Sequence, residues 1–417
     1  MTLRRTLAVG LAASAVLVLA ACGSGTPSDQ ASDAPQTILI ATPDAPWLTT
    51  LADAFHAAYP NRTAEFKPVG TDAKAAQDAF GSADVVSVAD LTQLASWLDG
   101  KKLLDVTDVA KTVSAPAVAP FVVDAKAAYG VPYLDSPWVL FYNKDLFKKA
   151  GVAAPDGTWL WGDFATAAKS LTTALAKDGV KGTFLPADPL VTAGFATAQT
   201  GDAQLMAGKD YAYLKANAQQ ALDLVQAGAS LSYDDAAGTT AADQFGGGKA
   251  AMVVAPLTLA DQLADAGFAW GLAPAPQKNK LTVGEGKVPV TVGQPVGYVI
   301  PAGIDPAKAP AAKDWLTFIS SEKAAVLLAS QGAIPAIASD GVTNAFFNRA
   351  KLTGDSLTRS AFLTHDAKYL PPVDKNAAKV WDAVKAADKT MRTSDPSGSA
   401  LDGAIADLTK KISGIVS

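Results

Sequence analysis

The sequence has 417 residues, 49% of them apolar and 18% charged, with 33 Gly, 25 Pro, two His and a single Cys; this length exceeds one ordinary core and predicts two domains of roughly 150 to 200 residues. The formal charge of −5 becomes −7 without Arg4 and Arg5, leaving 33 basic residues against 40 acidic, and the lack of a basic stripe argues against a nucleic-acid partner. One cysteine excludes an internal disulfide, and with two histidines no zinc or iron site built on His and Cys is expected.

Arg4 and Arg5 precede "TLAVGLAASAVLVLAA", an apolar run short for a spanning helix and typical of a secretion signal. Leu19, Ala20, Ala21 and Cys22 match the bacterial lipobox, whose small residues admit the peptidase and whose thiol takes a diacylglyceryl thioether. A buried free thiol is the alternative, but a Cys set between an apolar leader and a polar linker has no core to enter. Residues 1–21 are therefore read as a lipoprotein signal peptide, Cys22 as the lipid attachment and 22–36 as a flexible tether. Acyl chains contributing about 0.8 kcal/mol per buried methylene would hold the protein outside the cytoplasm on the cell membrane.

"QTILIA" predicts a strand, and "PDAPWLTTLADAFHAAYP" a helix with Trp47, Leu51, Ala54, Phe55 and Ala58 at helical spacing until Pro60. "ADVVSV" and "DLTQLASWLDG" repeat the unit, with Asp90 as N-cap, Leu91, Leu94 and Leu98 as the buried stripe, and Gly100 as the stop. Strands alternating with helices predict an α/β fold with parallel pairs. "WVLFY" reads as a buried strand, Asn143 caps a short helix ended by Gly151, and Trp159 and Trp161 lead into an amphipathic helix from Asp163. "FGGGKAAMVVAP" gives a Gly-rich turn, here a turn and not a phosphate loop, and then a strand. "WGLAPAP" and "GQPVGYVIPAG" give two more strands, and "AAKDWLTFISSEKAAVLLASQGAIPA" two helices.

The order GVPY, FYNKDLFKKAG, TW with its helix, FGGGKAAM, WGLAPAP, GYVIPAG and QGAIPA resembles the extracellular solute-binding proteins of ABC importers, the family that includes the maltose-binding protein. The resemblance runs from about Ile38 to the C-terminus. It implies a periplasmic-binding-protein-like α/β fold, two lobes joined by a hinge with a ligand cleft between them, and a monomer that delivers a small solute, foremost a carbohydrate, to ABC permease subunits. Lobe one is expected over 36–126 plus 268–335 and lobe two over 127–267 plus 336–417, with crossings near 124–128, 267–270 and 333–339. Hinge closure on the ligand would move φ and ψ at those crossings.

No G-x-S-x-G elbow, phosphate loop or dinucleotide fingerprint occurs, so no catalytic residue, metal or cofactor is expected. A secreted glycan hydrolase remains the alternative, with Asp135 and Asp188 the nearest carboxylate pair; a ligand-sensing lipoprotein of non-carbohydrate specificity is another. His56 is read as a structural helix residue and His365 as a solvated one.

Ligands in open α/β folds sit beyond the carboxyl ends of the strands. That rule selects Asp44 and Trp47 after the first strand and Ser87 and Asp90 after "ADVVSV", with helix capping the competing role for Asp44 and Asp90. In "PYLDSPW", Tyr133 and Trp138 offer aromatic faces, Trp138 serving either the site or the strand core. The resemblance places a sugar-contacting carboxylate position at Ser136, with Asp135 adjacent. It also carries a stacking tryptophan over to Trp381 in "KVWDAVKAA", either site or packing. Asp188 and Gln294 complete the candidates. Leu257 and Val88 stand where sugar-binding members carry aromatic residues, which implies a thinner platform and a smaller, differently posed or non-sugar ligand.

Overall fold

The structure is a computed structural model that describes residues 34–70, 73–123, 126–280, 288–352, 354–363 and 365–417. The expected leader, Cys22 and most of the tether lie outside the described residues, as do 124 and 125 in the first expected crossing. Among the described residues no helix is long and apolar enough to cross a membrane.

Strand β1 (Gln36–Thr42) leads into helix α1 (Leu48–Ala58), then β2 (Arg62–Pro68), β3 (Val85–Val88) and α2 (Leu91–Asp99). Next come β4 (Gly130–Asp135), β5 (Trp138–Asn143), α3 (Lys144–Ala150) and α4 (Trp161–Ala174). The second half adds β6 (Met252–Pro256), β7 (Trp270–Ala273), β8 (Val290–Gly293), β9 (Pro295–Val299), α5 (Ala309–Ile319), α6 (Glu322–Ser330), β10 (Asp366–Tyr369) and α7 (Ala377–Arg392). Five strands form one sheet in the order β2-β1-β3-β9-β4, three form another in the order β6-β5-β7, and β8 pairs with β10.

The expected parallel pairs are present where β1 lies between β2 and β3; β9 then runs antiparallel to both β3 and β4. Each main sheet is covered on both faces, which is why its strands read as apolar runs. Ile38 and Ile40 pack with Trp315 and Leu316 of α5, while Ala41, pointing the other way, packs with Leu94 and Trp97. Along β5 the same period of two sends Trp138, Leu140 and Tyr142 into one core and Val139 and Phe141 into another.

Local signals set the helix ends as expected. Asn143 accepts from the Leu146 N–H at 2.9 Å and Asp90 from the Thr92 N–H at 2.8 Å, each satisfying a donor that the first turn leaves free. Gly151 ends α3 at φ 68°, a left-handed geometry that costs glycine little. In α2 the residue fully buried beside Leu91 and Leu94 is Trp97, not Leu98, which stays half-exposed; the Trp97 indole also donates to Gln77 Oε1 at 2.8 Å.

Sheet membership departs from the residue ranges expected of the lobes. β4, expected with lobe two, pairs with β9 from Asp135↔Pro295 to Gly130↔Val299. β7, expected with lobe one, pairs with β5 from Leu140↔Ala273 to Asn143↔Trp270. The partners lie more than a hundred residues apart, so turn signals at 124–128 and 267–270 mark strand ends without saying which sheet comes next. The chain leaves the five-stranded sheet after Asp135 and re-enters it at Pro295.

These passages run side by side. Ser136 and Gln294 each donate a main-chain N–H to the other's carbonyl at 3.2 Å, and Asp135 N–H donates to Ile334 O at 3.0 Å. Gly293 sits against them, where an added Cβ would lie 2.6 Å from the Tyr369 ring and 3.0 Å from Asp135 Oδ1, so the close approach requires glycine.

Candidate ligand-binding cleft

A cavity of about 600 Å³ opens beside this junction, within the size range of small-molecule sites. Its walls come from the start of α2, the 187–190 turn, the β8–β9 connection, residues 370 and 371, and the α7 side chains Trp381, Asp382 and Lys385. A second cavity of about 260 Å³ adjoins it, sharing Ala89, Asp90 and Val296. This one reaches the residues that follow β1, the end of β3 and the end of β4, and so lies at carboxyl ends of the five-stranded sheet.

Eight of the residues selected from sequence line these two spaces: Asp90, Asp188, Gln294 and Trp381 the larger, and Asp44, Trp47, Ser87, Tyr133 and again Asp90 the smaller. Asp90 caps α2 through Oδ1 and lines both spaces. Asp44 does not cap α1, whose N-cap position is Trp47; its carboxylate is exposed at the edge of the smaller space. Tyr133 stacks on Tyr298 at 4.4 Å between ring centres, and its hydroxyl lies 3.4 Å from Ser87 Oγ; burial raises its pKa. Trp381 packs in a core at 8% exposure and edges the larger cavity.

Asp188 is held from behind. Its Oδ1 accepts from the Leu190 N–H at 2.8 Å, and burial raises its pKa against the opposing pull of that N–H and of Arg392. Arg392 donates to the carbonyls of Asp188 at 3.4 Å and Leu185 at 3.3 Å. The guanidinium lies 4.8 Å from the centre of the Tyr233 ring and 3.6 Å from Asp388 Oδ2, while Thr192 donates its hydroxyl to Asp388. Sequence reasoning missed this support. The available signal was Asp388 and Arg392 at i,i+4 on α7, an ion-pair spacing with both residues buried.

Three candidates point elsewhere. Trp138, at 2% exposure, meets Phe195 edge-on at 6.4 Å and belongs to the strand core. Ser136 is buried and accepts through Oγ from the Thr258 N–H at 3.2 Å. Asp135 is buried too; Tyr369 donates its hydroxyl to Oδ2 at 2.7 Å, Oδ1 has no partner, and burial raises its pKa to about 6. Asp135 and Asp188 therefore do not flank one cavity as a hydrolytic pair. Leu257 is fully buried away from the cleft, whereas Val88 lines the smaller space.

Neither histidine lines it. His56 hydrogen-bonds the Arg62 carbonyl at 2.9 Å. His365, expected to be solvated, is half-buried with Nδ1 out of solvent, and desolvation lowers its pKa. Among the described residues no group of three or more His, Cys, Asp or Glu could hold a metal ion. The larger cavity is acidic on balance, with Asp90, Asp188 and Asp382 facing one cation, Lys385, which lies 3.2 Å from Asp382.

The family model for bacterial extracellular solute-binding proteins matches residues 41–326. No curated protein sequence matches the chain. Solved structures do: a sugar transporter from Rhizobium etli in an open conformation is 21% identical with a TM-score of 0.76, covering 90% of this chain and 99% of that one. An ABC substrate-binding protein from Listeria monocytogenes in complex with cycloalternan is 22% identical with a TM-score of 0.72, covering 90% and 98%. UgpB from Mycobacterium tuberculosis in complex with glycerophosphocholine is 18% identical with a TM-score of 0.71, covering 91% and 98%. The likeness establishes the fold, that of two-lobed solute-binding proteins.

Proposed function

The chain belongs to the bacterial extracellular solute-binding proteins, and from that premise we propose that it is a lipid-anchored receptor that captures a small solute, a carbohydrate foremost, and presents it to ABC permease subunits by hinge closure. One observation carries the reading: loops from the five-stranded sheet and side chains of α7 line one cleft, with Trp381, Asp188, Gln294 and Asp90 around it. An indole face suits the C–H face of a sugar ring, while carboxylates and an amide accept and donate to hydroxyls. The excess of carboxylates disfavours an anionic solute.

The strand partners suggest a division of lobes different from the one read in sequence. One lobe would hold 36–135 and 295–333, the other 138–292 and 337–417. Closure would turn on the passages at 136–137, 293–294 and 334–336, and a ligand touching both walls would favour the closed form by its differential affinity alone. Cys22 would tether this body to the membrane through 23–35.

A thermal-shift screen of the protein against mono- and oligosaccharides tests the ligand class. A ligand at about 100 times its Kd adds roughly 2.7 kcal/mol to stability. No response to any sugar, together with a response to amino acids, peptides or polyols, would overturn the carbohydrate assignment while leaving the solute receptor in place.

A further inference from the structure

The two adjoining spaces differ in chemistry. The larger, about 600 Å³, is edged by Asp90, Asp188, Gln294, Asp382 and Lys385 around Trp381. The smaller, about 260 Å³, is walled by Pro43, Trp47, Val69, Val88, Leu134 and Val296. Three of its polar side chains are engaged, and Asp90, exposed on the border shared with the larger space, caps α2 through Oδ1. Ser87 Oγ and the Tyr133 hydroxyl face each other, the Gln93 amide donates to Gln77 Oε1 at 3.1 Å, and Asp44 stands exposed at the edge.

A fully hydroxylated ring placed in the smaller space would give up water at several hydroxyls and meet few partners, and each buried hydroxyl left unpaired costs about 1–3 kcal/mol. An apolar group meets no such penalty and gains by leaving water. Size agrees, since an apolar cavity of about 150 Å³ accepts benzene. A space of about 260 Å³ therefore admits an aromatic ring with a small substituent.

We propose that the solute is amphiphilic: a hydroxylated, uncharged or cationic head occupies the larger compartment against Trp381 and Asp188, and a sparsely oxygenated aryl, alkyl or deoxygenated group occupies the smaller one between Trp47 and Val88. This rests on the reading of the cleft as the solute site. It assigns Trp47, Val88 and Val296 to specificity. The solute is then a glycoside or a modified sugar in preference to a plain one.

Calorimetry on the full chain compares glucose and maltose with their 4-nitrophenyl glycosides, while tryptophan fluorescence reports where the nitroaryl quencher sits. The aryl glycoside is expected to bind at least about ten-fold more tightly than its parent sugar. It should also quench emission in the wild type, and the quench should largely vanish in Trp47→Phe. Val88→Phe, which fills the smaller compartment, should bring the ratio of the two affinities close to one. Equal or tighter binding of the parent sugar without a Trp47-dependent quench overturns the inference and leaves the solute receptor standing. Failure of every glycoside to bind instead sinks the carbohydrate reading, and 4-nitrophenol alone then decides: a Trp47-dependent quench upholds the apolar compartment, and none overturns it.

Discussion

At the scale of single residues, Asp135 couples the stability of the fold to pH. Its folded-state pKa of about 6 stands above the unfolded value near 3.9, so the group favours the folded state fully below the unfolded value and loses that contribution as pH rises through about 6. The loss is on the order of 3 kcal/mol. Asp135→Asn keeps an oxygen for the Tyr369 hydroxyl and removes the buried charge. Urea unfolding across pH 4 to 7 is therefore expected to show a shallower pH slope and higher neutral stability in the variant, and an unchanged slope would contradict the assignment. Trp381 gives a second test: Trp381→Ala should weaken binding of a confirmed solute by about ten-fold or more, with Trp381→Phe losing less because a stacking face remains. Caps at Asn143 and Asp90 were legible because donor and acceptor lie within three residues. The bond between Asp135 and Tyr369 spans 234 positions, and nothing in either residue's neighbourhood announces it.

At the scale of elements, α7 performs two tasks. Its N-terminal half brings Trp381 to the cleft, while its C-terminal turn buries Asp388 and Arg392 behind the loop that carries Asp188. Removing the cation alone strands a buried carboxylate, so Arg392→Met is expected to cost about 3–5 kcal/mol in urea unfolding. Asp388→Leu combined with Arg392→Met should recover much of that stability, because an apolar pair of similar volume no longer needs compensation. If the double variant remains as unstable as the single, the ion pair is not what limits the fold. The helix and Trp381 were legible only through the resemblance of "KVWDAVKAA" to a family helix. The buried charges were not, because periodicity treats a polar residue as outward-facing until a partner from another element is known.

At the scale of the whole molecule, the order of the sequence motifs carried the fold, whereas sheet membership needed the long-range pairs β4–β9 and β5–β7. Period-two patterning says that a strand is buried and is silent about its neighbours. Two expectations belong to this scale. Solution scattering should show a fall in radius of gyration when a confirmed solute binds, and no change would count against the clamp. Cys22→Ala should shift the protein from the membrane fraction to the soluble one and abolish palmitate labelling; persistent labelling would move the anchor elsewhere.

The mutual hydrogen bonds of Ser136 and Gln294 have a mechanical consequence. Of the three proposed passages between lobes, separate threads would allow bending, twisting and sliding, whereas these two laced together would make a strap that folds along one crease. On the lobe division proposed above, opening of the cleft would follow a single angle, with the two walls retracing one arc. Spin-label distances at two places across the mouth should accordingly change in fixed proportion as solute is added; independent changes would mean that the lacing yields.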